Sequence, residues 1–386
     1  PGGRRFANRV VGITELGDNN NYKFGVSGGT ALGDRLHFIG ALDYYHVDAI
    51  KDVRSRDWQQ SWGVIANPLA SQAGQPARLT RNNVRSRQFT EGGLITSGTF
   101  INQQFLPGGV LAPFVAGTDV TSATQVGGDG YDLSWFNYMT PKNTRGSGFG
   151  YLSYELSDTT TLFVQALAGK NDSSYLSPPA CGQFSNWAVT IYGDNAYLPT
   201  TIAKTMTAAQ SFKLGRAGDL DYGASKEIRQ ENLLQSFTTG MNSRLGDWRL
   251  NAYYQYGRTN SDIYMDNAIR LDRIYQAIDA VKNSSGQIVC RSTLMYPTNG
   301  CVPMNIFGVG SPSQESISWI TQDISQKQLV QQHVADVSLS GSLFRNWAGD
   351  VSVAAGASWR EESFRQDVYP VELHAGTDMP VISPTL

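Results

Sequence analysis

The sequence predicts an all-β fold: a transmembrane antiparallel β-barrel present in part, with about nine strands and long extracellular loops. Three observations predict it. Apolar and polar residues alternate with period two in segment after segment. Short and long connections alternate along the chain. Glycine (40), tyrosine (18) and tryptophan (8) are plentiful, while charged residues make up only 17 %. Successive side chains of a strand point to opposite faces, so a period of two gives each segment one apolar and one polar side. No run approaches the roughly 18 apolar residues of a membrane helix, whereas barrel strands hide their hydrophobicity from any window average.

In chain order, Tyr22–Thr30 alternates weakly and Leu36–Tyr44 and Leu162–Ala168 more clearly. Leu233–Leu245 sets Leu233, Phe237, Met241 and Leu245 against Leu234, Ser236, Thr238, Gly240, Asn242 and Arg244. Trp248–Gly257 has Trp248, Leu250, Ala252, Tyr254 and Tyr256 on one face, with Arg249, Asn251, Tyr253, Gln255 and Gly257 on the other. Ala335–Leu343 repeats the pattern. Asp350–Arg360 closes the series with Val351, Val353, Ala355, Ala357 and Trp359 on its apolar side.

Short turns fall at Ala31–Arg35, Ser157–Thr160, Gly246–Asp247 and Phe344–Gly349, and each follows an even-numbered strand. Long stretches, 46–146, 170–227 and 258–326, follow the odd ones. Compact soluble domains rarely hold structureless connections beyond about 15 residues. Transmembrane barrels have this asymmetry, with tight turns on the inner rim and long loops on the outer one. Tyr22, Phe24, Tyr44, Tyr45, Tyr151, Tyr154, Trp248, Tyr254, Tyr256, Trp347 and Trp359 lie near strand ends, where amphipathic rings form interfacial girdles. Within the last long stretch, Ile269–Val281 carries Ile274, Ala277, Ile278 and Val281 at helical spacing, predicting a short amphipathic helix packed on its loop.

Thirty-one basic residues nearly cancel 33 acidic ones, so there is no electrostatic footprint for nucleic acid. The four histidines (His37, His46, His333, His374) are scattered and offer no metal-site spacing. Gly25-Val26-Ser27-Gly28-Gly29 matches a nucleophile elbow only in letters. That motif needs a strand, a sharp turn and a helix, and here it lies inside an alternating strand. Gly308-Val309-Gly310 follows a loop and does not read as a phosphate cradle. Asp129, Asp132, Asp194, Asp219 and Asp221 enrich the loops in carboxylate, but nothing in the sequence pairs them. No enzyme chemistry and no cofactor are expected.

Arg54, Arg56, Arg81, Arg85 and Arg87 make the first long loop basic. They suit either an anionic ligand or a solvated surface against anionic lipopolysaccharide. Aromatics in the loops, Trp135 and Trp187 among them, are further candidates for ligand contact. Cys290 and Cys301 share one Gly/Pro/Asn-rich stretch, and either a short loop closed in an oxidising compartment or two reduced thiols satisfies that spacing. Cys181 has no evident partner.

Several stretches resemble the TonB-dependent receptor family. Asp18-Asn19-Asn20-Asn21-Tyr22-Lys23-Phe24 resembles its first barrel hairpin, and Gly92-Gly93-Leu94-Ile95-Thr96-Ser97-Gly98 a piece of its long second loop. Asn195-Ala196-Tyr197-Leu198-Pro199 is similar to its Asn-Pro-Tyr-Leu-Pro segment, with Ala196 in place of proline. Cys301-Val302-Pro303-Met304-Asn305-Ile306-Phe307-Gly308 resembles its Cys-x-Pro-Leu-Asn-Ile-Phe-Gly motif, with Met304 in place of leucine; an upstream cysteine, here Cys290, commonly accompanies it. The resemblance implies that residues 1–386 are the N-terminal part of a 22-stranded barrel, with the plug domain outside this chain. It implies an outer-membrane receptor of a Gram-negative bacterium that imports a scarce nutrient (a ferric siderophore, cobalamin or an oligosaccharide). Its partners would be outer-membrane lipid and, through the plug, the TonB–ExbB–ExbD complex. A passive porin and a secreted β-rich carbohydrate-binding protein are the alternatives.

Overall fold

In the computed structural model, the described residues are 6–12 (backbone only), 17–132, 134, 139–176, 188–218, 221 and 227–368. Nine strands form one antiparallel sheet in simple meander order: β1 (Phe6–Gly12), β2 (Asn21–Leu32), β3 (Leu36–Val47), β4 (Lys142–Ser157), β5 (Thr160–Leu176), β6 (Glu227–Leu245), β7 (Trp248–Ile269), β8 (Thr321–Asn346) and β9 (Gly349–Val368). The sheet is open, with β1 and β9 as its edges. It is the wall of a partial barrel. The four predicted turns close the β2–β3, β4–β5, β6–β7 and β8–β9 hairpins at one end, and the three long connections leave from the other. Gly246, at φ +64°, makes the two-residue turn between β6 and β7, where a side chain would be strained.

The pairing register carries the period-two pattern from strand to strand. One row runs Thr30, Phe38, Leu152, Val164, Thr239, Tyr254, Ala335 and Trp359 across eight strands. The next runs Leu32, Leu36, Tyr154, Leu162, Met241, Ala252, Val337 and Ala357 on the same face. Side chains of this face are not covered: Phe38 is 40 % exposed, Trp359 52 %, and Leu42, in a further row, 64 %. A soluble protein would gain roughly 1.5–3 kcal/mol for hiding each such side chain, so a whole apolar face left open belongs in hydrocarbon. The greasy face is no internal core, which removes the secreted soluble alternative.

The opposite face is mostly polar. One of its rows reads Gly29, Ile39, Tyr151, Gln165, Thr238, Gln255, Val334 and Arg360, and another includes Asn242, Asn251 and Ser338. Lys23 and Arg145 both pair with Asp43 on this side. Two of the aromatics expected to girdle the membrane face inward instead. Tyr151 stacks on Phe163, and Tyr45 lies beneath the Arg145 guanidinium. Proximity to a strand end does not fix the face; residue parity does.

The strands overrun the predicted segments at their outer ends. β7 continues to Ile269 and β8 begins at Thr321, so the third loop is 270–320 rather than 258–326. A strand crosses the hydrocarbon in about 9–11 residues. β7 has 22 and β8 has 26, so both project well beyond it. Their overhangs carry polar pairs (Ser261 opposite Gln328, Asp262 opposite Lys327) beside a buried apolar cluster of Ile228, Met265, Ala268 and Ile324, so the alternation of the membrane band does not continue there.

Candidate functional site

The three long connections, 48–141, 177–226 and 270–320, are not separate loops. A five-stranded sheet is assembled from two of them: Val189–Tyr192 and Ser211–Gly215 of the second with Leu94–Ile95, Gln103–Leu106 and Val110–Pro113 of the first. The third adds α1 (Leu271–Ile278), α2 (Arg291–Met295) and α3 (Gln314–Ile320). All three supply one hydrophobic core: Ile95 and Phe105 from the first, Ile191, Ile202, Phe212 and Leu214 from the second, and Ile274, Ala277, Ile306, Phe307, Ile317 and Ile320 from the third. The expected helix is there, shorter than predicted at Leu271–Ile278. It buries Ile274, Ala277 and Ile278, while Val281 passes into the short strand Ala280–Lys282.

The segments singled out in the sequence meet inside this cap. The Gly308 amide donates to the Gly92 carbonyl at 2.9 Å, and a Cβ on Gly92 would overlap the Phe105 carbonyl oxygen. Asn195 Nδ2 donates to the Ile278 carbonyl at 2.8 Å, and the Ala196 amide to that of Ala280 at 2.9 Å. The Met304 amide donates to the Ala277 carbonyl at 2.8 Å. Phe307 packs on Phe105 with ring centroids 4.9 Å apart. Burying backbone without pairing it is costly, and these bonds satisfy it where the loops cross. Tyr197, Pro199, Asn305, Phe307 and Gly109 line an open cavity of about 370 Å³ where the three connections converge.

Cys290 and Cys301 form a disulfide that closes the segment holding α2. Beside it, Arg291 grips Asp194 through two hydrogen bonds (2.7 and 2.9 Å) and Asp279 through Nε at 2.9 Å, joining the second and third connections. Those bonds hold the Asp194 carboxyl below its usual range and make Arg291 still harder to deprotonate. A second open cavity, about 310 Å³, adjoins this network and is lined by Val189, Thr190, Tyr192, Lys213, Tyr275 and Ile278. Asp279 also lines it, so two half-exposed tyrosines, an apolar floor, one cation and one carboxylate suit a small ligand with a flat face and polar groups. Sequence reasoning missed Arg291, Tyr192 and Tyr275 because no local pattern joins positions about a hundred residues apart.

The loop arginines have other duties. Arg56 is buried and bidentate to Asp18 at 2.8 Å, tying the first connection to the base of β2. Arg54 chelates Asp52, which is held below its usual range by that bond, and Arg81 donates to Asp119 at 2.6 Å. Arg85 reaches Asn83 and the Gly130 carbonyl, and Arg87 the Thr121 carbonyl. These bonds hold the first connection in shape. The carboxylates that the sequence left unpaired also have partners: Asp194 with Arg291, Asp129 with Gln104, Asp132 with Ser61 and Ser134, and Asp221 with Arg216. Trp135, Trp187, Cys181 and Asp219 lie outside the described residues. Among the described residues no group of three His, Cys, Asp or Glu side chains is gathered to hold a metal.

No protein-family model and no curated protein matches the chain. Among solved structures it is similar to the siderophore receptor PiuA from Acinetobacter baumannii at 9 % identity and a TM-score of 0.26, covering 95 % of this chain and 47 % of that one. It is also similar to the ferric-catecholate import receptor Fiu from E. coli K12 in an open form, at 10 % identity and a TM-score of 0.27, covering 94 % and 49 %. The outer-membrane transporter YddB from Escherichia coli follows at 9 % identity, a TM-score of 0.24, and coverage of 95 % and 40 %. The chain thus spans about half the length of the first two. Superpositions this loose carry no argument, and the fold rests on the strand register and the exposed apolar face.

Proposed function

We propose that this chain supplies part of the wall and the outer cap of an outer-membrane import receptor for a scarce small nutrient, a ferric siderophore, cobalamin or an oligosaccharide. In this reading a plug domain links it to the TonB–ExbB–ExbD complex, which provides the energy. The observation that carries the reading is the cap: three connections fold onto one shared core at the outer end of an open nine-stranded wall. An unpaired strand edge is untenable in hydrocarbon, where each unsatisfied backbone group costs several kcal/mol, so further strands must complete the barrel. A barrel wider than nine strands has a broad lumen, and an ordered cap at its mouth gives a captured ligand rigid walls. The two cap cavities are where that ligand would first bind. The chain's role is binding and passage, with no covalent step.

Uptake of labelled candidates by cells carrying the intact gene, with and without a working TonB, tests this. The receptor reading expects saturable uptake of one ligand class that disappears with TonB. Non-saturable passage that ignores TonB would replace it with the passive porin.

A further inference from the structure

One cluster on the membrane-facing side is not part of the cap and is not apolar. β7 is paired without a break from Trp248 to Met265, so Trp248, Leu250, Ala252, Tyr254, Tyr256 and Arg258 all share the outward face. Arg258 is directly opposite Gln331, and Tyr256 opposite His333. The Tyr254 hydroxyl and His333 Nδ1 share a hydrogen bond of 2.6 Å. Gln331 Nε2 donates to the Tyr256 hydroxyl at 2.8 Å, and the Tyr256 and His333 rings lie 5.0 Å apart. Arg258 donates to the carboxamide oxygen of Asn260 at 3.3 Å and, among the described residues, makes no ion pair. The only carboxylate on the two adjacent rows, Glu361, is opposite His333, one strand further on.

The depth of the cluster identifies the medium. Trp248 begins β7 at the short-turn rim, and Arg258 is ten residues later. At about 3.4 Å per residue and a tilt near 45°, that climb is roughly 24 Å, the height of the apolar band of such barrels. Arg258 therefore stands where hydrocarbon gives way to the headgroups of the outer leaflet, with two tyrosines just beneath it. An unneutralised guanidinium there, presenting a donor fork beside amide and phenol donors, matches a phosphate.

We propose that Arg258, with Tyr254, Tyr256, Gln331 and His333, forms a seat on the outer wall for the phosphate of an outer-leaflet lipid. The proposal rests on the wall spanning the membrane and is independent of what the receptor imports. The test uses the receptor made from the intact gene in uncharged detergent micelles, with phosphatidic acid and phosphatidylcholine as probes and bound lipid counted by native mass spectrometry. The expected result is a preference of about tenfold or more for phosphatidic acid, lost in Arg258→Gln and kept in Arg365→Gln, whose guanidinium is already paired with Asp367. Arg258→Lys, which keeps the charge but not the fork, should keep part of it. Millimolar inorganic phosphate should not displace the lipid; if it does, the seat is for free phosphate and the lipid assignment is wrong. Equal uptake of both lipids by the unaltered chain, a comparison that needs no variant, overturns the seat alone. Uptake of neither overturns the membrane-spanning wall as well.

Discussion

The wall and the cap use the same apolar residues in opposite ways. In the wall, Phe38, Leu42, Val337 and Trp359 stand open on one face of a sheet, while in the cap Phe105, Leu214, Phe307 and Ile320 are almost wholly hidden. The difference lies in the solvent. Hydrocarbon does not reward apolar side chains for packing together, so the wall is held by its backbone ladder and by registry. Water does reward it, so three connections that resemble loops in sequence collapse onto one core. A chain with both regions reports, residue by residue, which solvent it meets.

The largest effect should come from emptying the cap core. Phe307→Ala should cost about 3–5 kcal/mol of cap stability, as buried phenylalanine truncations do. Limited proteolysis should show cleavage across all three connections while the wall strands survive. Phe38→Ala on the wall should leave the protease pattern unchanged. Next is the converse change. Val337→Arg, near mid-membrane beside Ala252, should cost about 2–4 kcal/mol and impair membrane insertion, read by the folded fraction on unheated gels. The same arginine at Ser338, one residue on and facing the lumen, should be tolerated.

These paired substitutions depend on parity, and parity was legible in the sequence wherever apolar and polar residues alternated, as in Trp248–Gly257 and Asp350–Arg360. It was not legible in the overhangs beyond Arg258, where polar pairs and a buried apolar cluster (Ile228, Met265, Ala268, Ile324) replace that alternation. Nor did the sequence show that Gly92–Gly98, Asn195–Pro199 and Cys301–Gly308 bond to one another, since nothing local encodes contacts between segments so far apart. The partners of the first-loop arginines were hidden for a related reason. Arg56 meets Asp18 and Arg81 meets Asp119 across the fold, while Arg54 chelates Asp52 two residues before it. Cys290 and Cys301 were a pair worth marking, and the structure joins them.

Smaller effects should sharpen the contrast. Removing the disulfide with Cys290→Ser should loosen the cap by about 3 kcal/mol, the magnitude for closing a short loop, and leave the wall's circular dichroism unchanged. Acid should act on the cap through Asp194. Its carboxyl is held below the usual range, chiefly by hydrogen bonds from Arg291, so its contribution is complete above the unfolded value near 4 and is lost as pH falls through the lower folded value. Protease resistance of the cap should therefore hold down to about pH 4 and fall below it, and Asp194→Asn should remove that component of the acid response. The least effect is expected from Arg54→Gln, which breaks a solvent-facing pair with Asp52 and should change cap stability by no more than about 1 kcal/mol.

The central claim is that alternate residues of one strand face hydrocarbon and the lumen. Single cysteines at positions 250 to 256 of β7, each carrying a bimane label in bilayers of brominated lipid, measure it directly. The account predicts strong quenching at 250, 252, 254 and 256 and weak quenching at 251, 253 and 255. Equal quenching along the run, or none at any position, would contradict it.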